Sequence, residues 1–199
     1  MAPPVLAPWA ESVPGQTAPM SAQDLARLTD DGWIYELVEG RLVRMPLAGT
    51  AHGGFGATLL IALGMYVRAA GLGRLYTAET GFLLSRPGHP DTVLGADVAF
   101  ISAARVPAQP PAERFWRLAP DLIAEVASPG QFRPELAAKV AIWLAAGVRL
   151  AWVVWPGRGQ VDVWRPGSDE PVATVGQDES LDGLDVVPGF ILAAHELFS

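Results

Sequence analysis

Leu122-Ile123-Ala124-Glu125-Val126 constrains this chain more than any other stretch. Four of its residues are apolar without alternation, the pattern of a strand covered on both faces by helices. A fold that buries such a strand also buries Glu125, and an ionised carboxylate without a cation or several donors costs several kcal/mol or takes up a proton. The fold must therefore bring Glu125 a partner. Asp97 raises the same demand inside residues 93–101, which read as one central strand. If the two strands are neighbours with both acids on one face, like charges meet and a hard divalent cation relieves them. A buried polar network with arginine or main-chain donors satisfies the same requirement.

Lys139 is the only lysine among 14 basic residues. A chain that otherwise uses arginine keeps a lysine where a compact ammonium is needed and a planar guanidinium does not fit. Pro134 in a first turn and Gly147 after the last predict a helix over 134–146. At 3.6 residues per turn, position 139 falls between the azimuths of Leu136 and Trp143, at the flank of the apolar face, so its ammonium aims at the sheet or its edge. The plainer alternatives are a snorkelling side chain or a helix pair with Glu135, four residues earlier.

Ser21 ahead of Ala22, Gln23 and Asp24 predicts a capped short helix. Residues 35–38 and 41–45 around Glu39-Gly40 predict a hairpin, and 150–155 with 161–164 around Pro156-Gly157 a second. Residues 57–70 read as a long helix, and 75–77 and 81–85 as further strands. Residues 105–120 read as a loop or short helix crossing to the next strand, and the remainder as a short acidic strand-and-turn region with a final helical turn near 193–198. Strands and helices interleave, which predicts an α/β fold of the α+β type: a central mixed sheet flanked by helices, with an N-terminal hairpin and extra C-terminal strands. The length suits one domain over 20–199. Residues 1–19 carry five prolines and no Lys or Arg, and are expected as an extended or disordered arm.

The absence of cysteine excludes disulfides, thiol nucleophiles and Cys-bound zinc, and together with the lack of a secretory signal fits a cytoplasmic setting. Met45 to Val67 contains no charged residue, but prolines and glycines break its first half, so a buried core helix is expected rather than a membrane span. The net charge of −7 opposes nucleic-acid binding, yet 166–199 alone hold seven acids and no Lys or Arg, leaving the body balanced. His52, His89 and His195 show no metal-ligand spacing. The "GTAHGGFG" stretch lacks the ending of a phosphate loop and is read as flexible, with His52 in a hydrogen bond at the start of the helix.

Asp97, Glu125, the "SPG" that follows and Lys139 on the next helix resemble the PD-(D/E)XK nuclease superfamily. They look most like the Uma family of restriction-endonuclease-like proteins, through Tyr35-Glu36-Leu37 with Gly40, Pro120 to Pro129, Lys139 and Ala146-Gly147. The resemblance covers roughly 20 to 195 and implies a restriction-endonuclease-like core. It implies Asp97, Glu125 and the carbonyl of Val126 as holders of Mg2+, with Mn2+ as a substitute, Lys139 acting on the attacking water or the phosphate, and Glu36 as a further acid near the metal. Glu36 could equally face water. The sequence departs from the superfamily's commonest pattern, with Ala127 where a lysine usually follows the Glu, Ala96 in place of Pro and Trp143 where the family tends to have Tyr. Arg105, Arg114, Arg117 and Arg133 flank these strands as candidate phosphate contacts.

These readings lead to a metal-dependent endonuclease hydrolysing DNA, with low affinity expected from the acidic net charge. The alternative is a catalytically silent module of the same fold that binds nucleic acid or protein, its charges forming a buried salt-bridge cluster. A homodimer is a third reading, with Trp116 as an exposed aromatic at its interface.

Overall fold

The computed structural model describes residues 7–29, 31–45, 49–109 and 114–199. In chain order the elements are β1 (Glu11–Ser12), α1 (Ala22–Ala26), β2 (Ile34–Val38), β3 (Arg41–Met45), α2 (Thr50–Ala70), β4 (Gly73–Thr77), β5 (Phe82–Leu83), β6 (Val93–Leu94) and β7 (Val98–Ser102). They continue with β8 (Leu122–Val126), α3 (Arg133–Ala145), β9 (Leu150–Trp155), β10 (Gln160–Trp164), β11 (Ala173–Gly176), β12 (Ser180–Asp182), β13 (Ile191–Ala193) and α4 (Ala194–Phe198). Six strands form the central sheet in the order β11-β10-β9-β8-β7-β4. Only β8 and β9 in it run parallel, joined through α3, so the sheet is mixed. A second sheet, β1-β3-β2-β6-β5, carries the N-terminal hairpin.

The central sheet is buried on both faces. Val98, Phe100, Leu122, Ala124 and Val126 pack against Leu59, Leu63 and Val67 of α2. Ala99, Ile123 and Val153 pack against Leu136, Val140 and Trp143 of α3 and against the second sheet's Val38 and Leu94. Alternation along β8 therefore puts Glu125 on the α3 face with Ile123.

The Glu39-Gly40 hairpin forms as its residues predict, with Val38 opposite Arg41 and both turn residues at positive φ, 47° and 75°. Ser21 and Asp24 close a capping box on α1. The described part of the N-terminal arm is extended and packed: β1 pairs with β3, and Ala7 and Trp9 are buried.

Four expectations change. Residues 93–101 are two strands, because the chain leaves the second sheet after β6 and enters the central one at β7. Gly95 makes that crossing beside Ala78, whose carbonyl would stand 2.7 Å from a Cβ placed there, so no side chain fits. The glycine-rich stretch is helical, extending α2 back to Thr50, since a helix packed along one apolar stripe tolerates the glycine cost. And α2 is not a core helix: Leu59, Leu63 and Val67 are buried while Ile61 and Met65 are 61% and 71% exposed. Among the described residues it is the one helix long and apolar enough to cross a membrane by length and composition. Trp116, expected to be exposed, lies half-buried edge-on to Tyr76.

Candidate active site

The end of β8 holds the site because four elements deliver charged side chains to it. Helix α3 places Lys139 over β8, its stem between the same Leu136 and Trp143 that the helical spacing indicates, and the side chain is only 3% exposed. Its ammonium donates to the Gly95 carbonyl at 3.0 Å and meets Glu36 Oε1 at 3.2 Å and Glu125 Oε1 at 3.1 Å. All three ammonium protons therefore have acceptors. Trp143 Nε1 donates to Glu125 Oε1 at 3.1 Å. The indole thus supplies a donor to the central carboxylate.

Glu36 points inward from β2. Its two oxygens accept from the Gly95 N–H at 2.9 Å and from Trp9 Nε1 at 3.2 Å. Gly95 serves the cluster twice, with its N–H on Glu36 and its carbonyl on Lys139, which only the sheet-switching backbone at that point makes available.

Asp97 lies one residue before β7. Val98 pairs with Ala124, and extending that antiparallel register by one sets Asp97 opposite Glu125. Asp97 Oδ2 accepts from the Val126 N–H at 2.7 Å and from His52 Nε2 at 3.3 Å. Both partners in this second contact are near the surface, with side chains 14% and 18% exposed, so the cluster opens to solvent on the Asp97 and His52 side.

The electrostatics follow from the count of charges. Glu36, Asp97 and Glu125 are three acids around one lysine. Burial, with Asp97 and Glu36 adding to it, outweighs the pull of Lys139 and pushes Glu125 up to about 7. For Lys139, burial works to lower the pKa, but Glu125, Glu36 and Asp97 overcome it and hold the ammonium above its ordinary value. The hydrogen bond to Asp97 raises His52 against burial.

Two carboxylates and a main-chain carbonyl are the donor chemistry of a hard divalent cation, and an excess of negative charge at the open side is what such an ion would neutralise. Among the described residues no three His, Cys, Asp or Glu side chains converge as a metal-holding group. The Val126 carbonyl is therefore needed to complete one. Glu125 has its oxygens turned toward Lys139 and Trp143, whereas Asp97 faces outward.

The candidate phosphate contacts are placed differently. Arg105 donates to Asp121 at 2.7 Å and to the Ala119 carbonyl, at the opposite end of β8 from Glu125. Arg133 donates to Asp162 at 3.1 Å and lies over the Trp155 ring. Arg114 reaches the Ala26 carbonyl, and Arg117 is exposed in the segment before β8. The structure thus gathers Asp97, Glu125, Lys139 and Glu36 and employs Arg105 and Arg133, both partly exposed, in ion pairs with buried aspartates elsewhere. It adds Trp9, which sequence reasoning passed over, and His52, which the sequence places only in a hydrogen bond at the start of the helix. His52 is legible only once the glycine stretch is known to be helical, which turns its ring inward.

A family model described as "Uma2: Putative restriction endonuclease" matches residues 22–195. Among solved structures, the chain is similar to one described as "a putative nuclease belonging to DUF820", from Anabaena variabilis ATCC 29413, with a TM-score of 0.75 at 18% sequence identity. The similarity covers 90% of this chain and 98% of that one, and it establishes the fold. A search of curated proteins finds no match.

Proposed function

This chain belongs to the Uma2 family, and from that premise we propose that it is a divalent-cation-dependent endonuclease that hydrolyses DNA phosphodiester bonds. The observation that carries the proposal is the charge imbalance at the end of β8: three acids, one buried lysine, and one acid, Asp97, at the solvent boundary. Asp97, Glu125 and the Val126 carbonyl would hold Mg2+ or Mn2+. The cation, when bound, supplies Lewis acidity at the scissile phosphate. Lys139 has a raised pKa and is a poor base near neutral pH, so its role is electrostatic: it holds Glu125 in place and stabilises charge developing at the phosphate. Glu36, fixed by Trp9 and Gly95, holds Lys139 in turn. With Arg105 and Arg133 in ion pairs, tight DNA binding is not expected at physiological salt.

The test is nicking of supercoiled DNA with and without Mg2+ or Mn2+. Wild type should nick only with the ion, and Asp97→Asn should lose at least ~10²-fold, the scale of a lost electrostatic contribution. Nicking by Asp97→Asn at the wild-type rate would remove Asp97 from the site.

One observation favours a second reading, a catalytically silent module of the same fold. Both Glu125 oxygens and the Lys139 ammonium have partners without any ion. A purely structural cluster of this kind should yield no metal-dependent nicking and should lose stability when any one charge is removed.

A further inference from the structure

Acidic residues are unevenly spread along this chain of net charge −7. Residues 40–78 and 98–112 contain no Asp or Glu, and all 21 acids lie elsewhere. The two acid-free stretches meet at β4, the edge of the central sheet. There Arg68 of α2, Arg74 and Leu75 of β4, and Val106 and Pro107 beyond β7 line an open groove of about 700 Å³. No acid lines it.

Arg68 and Arg74 are exposed, and among the described residues neither guanidinium has an ion-pair partner. Asp185, in the segment that Tyr66 fastens to α2 through the Pro188 carbonyl, is already held at 2.6 Å by both Arg149 and Arg165. Arg68 in the last turn of α2 suits the helix dipole, and Arg74 on an edge strand discourages strand addition. Neither role calls for both cations beside one acid-free groove, whereas phosphate oxygens are what unpaired guanidinium groups recognise. The groove is also aligned with the site. Helix α2 carries His52 on Asp97 near one end and Arg68 about 24 Å further along. Arg74 pairs with Ile101, which puts it about 13 Å along β7 from Asp97. Phosphates of one strand follow one another about every 3.4 Å of duplex axis, so the two arginines meet positions roughly four and seven phosphates from the one at Asp97.

We propose that Arg68 and Arg74 bind the DNA backbone, with the duplex running along α2 from the Asp97 end of the site to the edge of the sheet. This inference rests on the nuclease reading above and names where its substrate lies. The groove is open and its cations are spread from helix to strand, which suits an extended backbone and not an isolated phosphate. Two phosphate contacts are few, in keeping with weak binding at physiological salt. The arginines position the substrate and stand far from the bond that breaks.

The experiment uses the full chain and a fluorescent duplex of about 20 base pairs, with affinity read by anisotropy in EDTA from about 50 to 200 mM salt. In the Arg68→Gln, Arg74→Gln double variant the slope of log affinity against log salt should be shallower than in wild type by about 2, and in each single variant by about 1. Affinity of the double variant at about 50 mM salt should fall at least about tenfold. In metal-dependent nicking its KM should rise with kcat nearly unchanged, because these side chains do not touch the scissile phosphate. Arg86→Gln, the same charge change on the α3 side of the sheet, should bind like wild type. Thermal melts check the fold, and if the double variant melts lower, the single variants carry the test. A wild-type salt slope and KM in the double variant overturn the inference and leave the nuclease reading standing, and a lowered melt with wild-type binding assigns the two arginines to the helix end and the sheet edge instead. A wild type that binds DNA through these arginines but nicks under no condition keeps the surface and sinks the nuclease reading. A wild type that neither binds nor nicks overturns both.

Discussion

Asp121 and Glu125 sit four residues apart at the two ends of β8, both buried, yet their surroundings are opposite. Asp121 accepts from the Ser102 N–H at 2.8 Å and from Arg105 at 2.7 Å, with Arg149 at 3.8 Å. Burial works to raise its pKa, but these donors prevail and hold the carboxyl below its ordinary range. Glu125 has one lysine, shared with Glu36, and Asp97 nearby, and is pushed up to about 7. One end is over-supplied with positive charge and the other under-supplied. A carboxylate kept only for structure is neutralised by its own fold, and a deficit left at the end of a central strand marks where an external cation belongs. The cations differ as well. The arginines at Asp121 are partly exposed, whereas the lysine at Glu125 is sealed in.

The largest effect that would test this contrast is expected at Lys139. Lys139→Met removes the only cation between two buried carboxylates and should cost about 3–5 kcal/mol at pH 8, the scale of breaking a buried pair. The loss should shrink at pH 5, where Glu125 takes up a proton. The apolar stem alone would have suggested a mild effect, but the contact with Glu36 makes it severe. Lys139→Arg, wider and planar, should lose ~10²-fold in metal-dependent nicking, and wild-type activity in that variant would break the assignment of Lys139 to the chemistry.

Asp121→Asn should cost about 1.5–3 kcal/mol, the scale of hydrogen bonds to charged groups, and leave metal-induced stabilisation intact. The sign is set by its lowered pKa: its stabilising contribution is present above about 3.8 and lost as pH falls below that value. A changed Mn2+ response in a thermal melt of this variant would show that the two ends of β8 are coupled.

Glu125→Gln should change stability at pH 8 by about 1 kcal/mol or less, because the buried charge it removes is itself unfavourable. Its signature is in the pH profile. A folded pKa raised from 4.5 to about 7 means the native state binds the extra proton in that window, so wild-type stability falls as pH rises through it and levels off above. Denaturant melts from pH 4 to 8 should show that slope in wild type and not in the variant.

Trp143→Phe should cost a similar amount, about 1 kcal/mol for one lost hydrogen bond to Glu125. It should also raise the Glu125 pKa further, which carboxyl NMR titration would detect. A lowered pKa would mean the indole is not stabilising the ionised form.

Much of this site was legible from residues alone. Continuous apolar neighbours announced that Glu125 is buried, helical spacing aimed Lys139 at it, and the uniqueness of that lysine pointed to a compact-ammonium requirement. Those inferences concern a residue and its neighbours within one element, where periodicity settles which face is buried. The Glu39-Gly40 hairpin and the Ser21 cap belong to the same class, because turn and cap chemistry is local.

What the tertiary structure alone decided is where separate elements meet. Nothing in residues 93–101 reveals that the chain changes sheets at Gly95, since the Ala78 carbonyl that leaves no room for a side chain there comes from another segment. Nothing in "GTAHGGFG" reveals a helix, since glycine propensity opposes one and only packing of the later turns on the sheet sustains it. Those two outcomes put Gly95 between Glu36 and Lys139, and His52 on Asp97. The partners of Arg105 and Arg133 were hidden for the same reason: an arginine's sequence neighbours do not state which buried carboxylate it will find. Local sequence determined which groups had to be buried and charged, and long-range packing determined which of them face one another, because side-chain period is a property of one element and contact is a property of two.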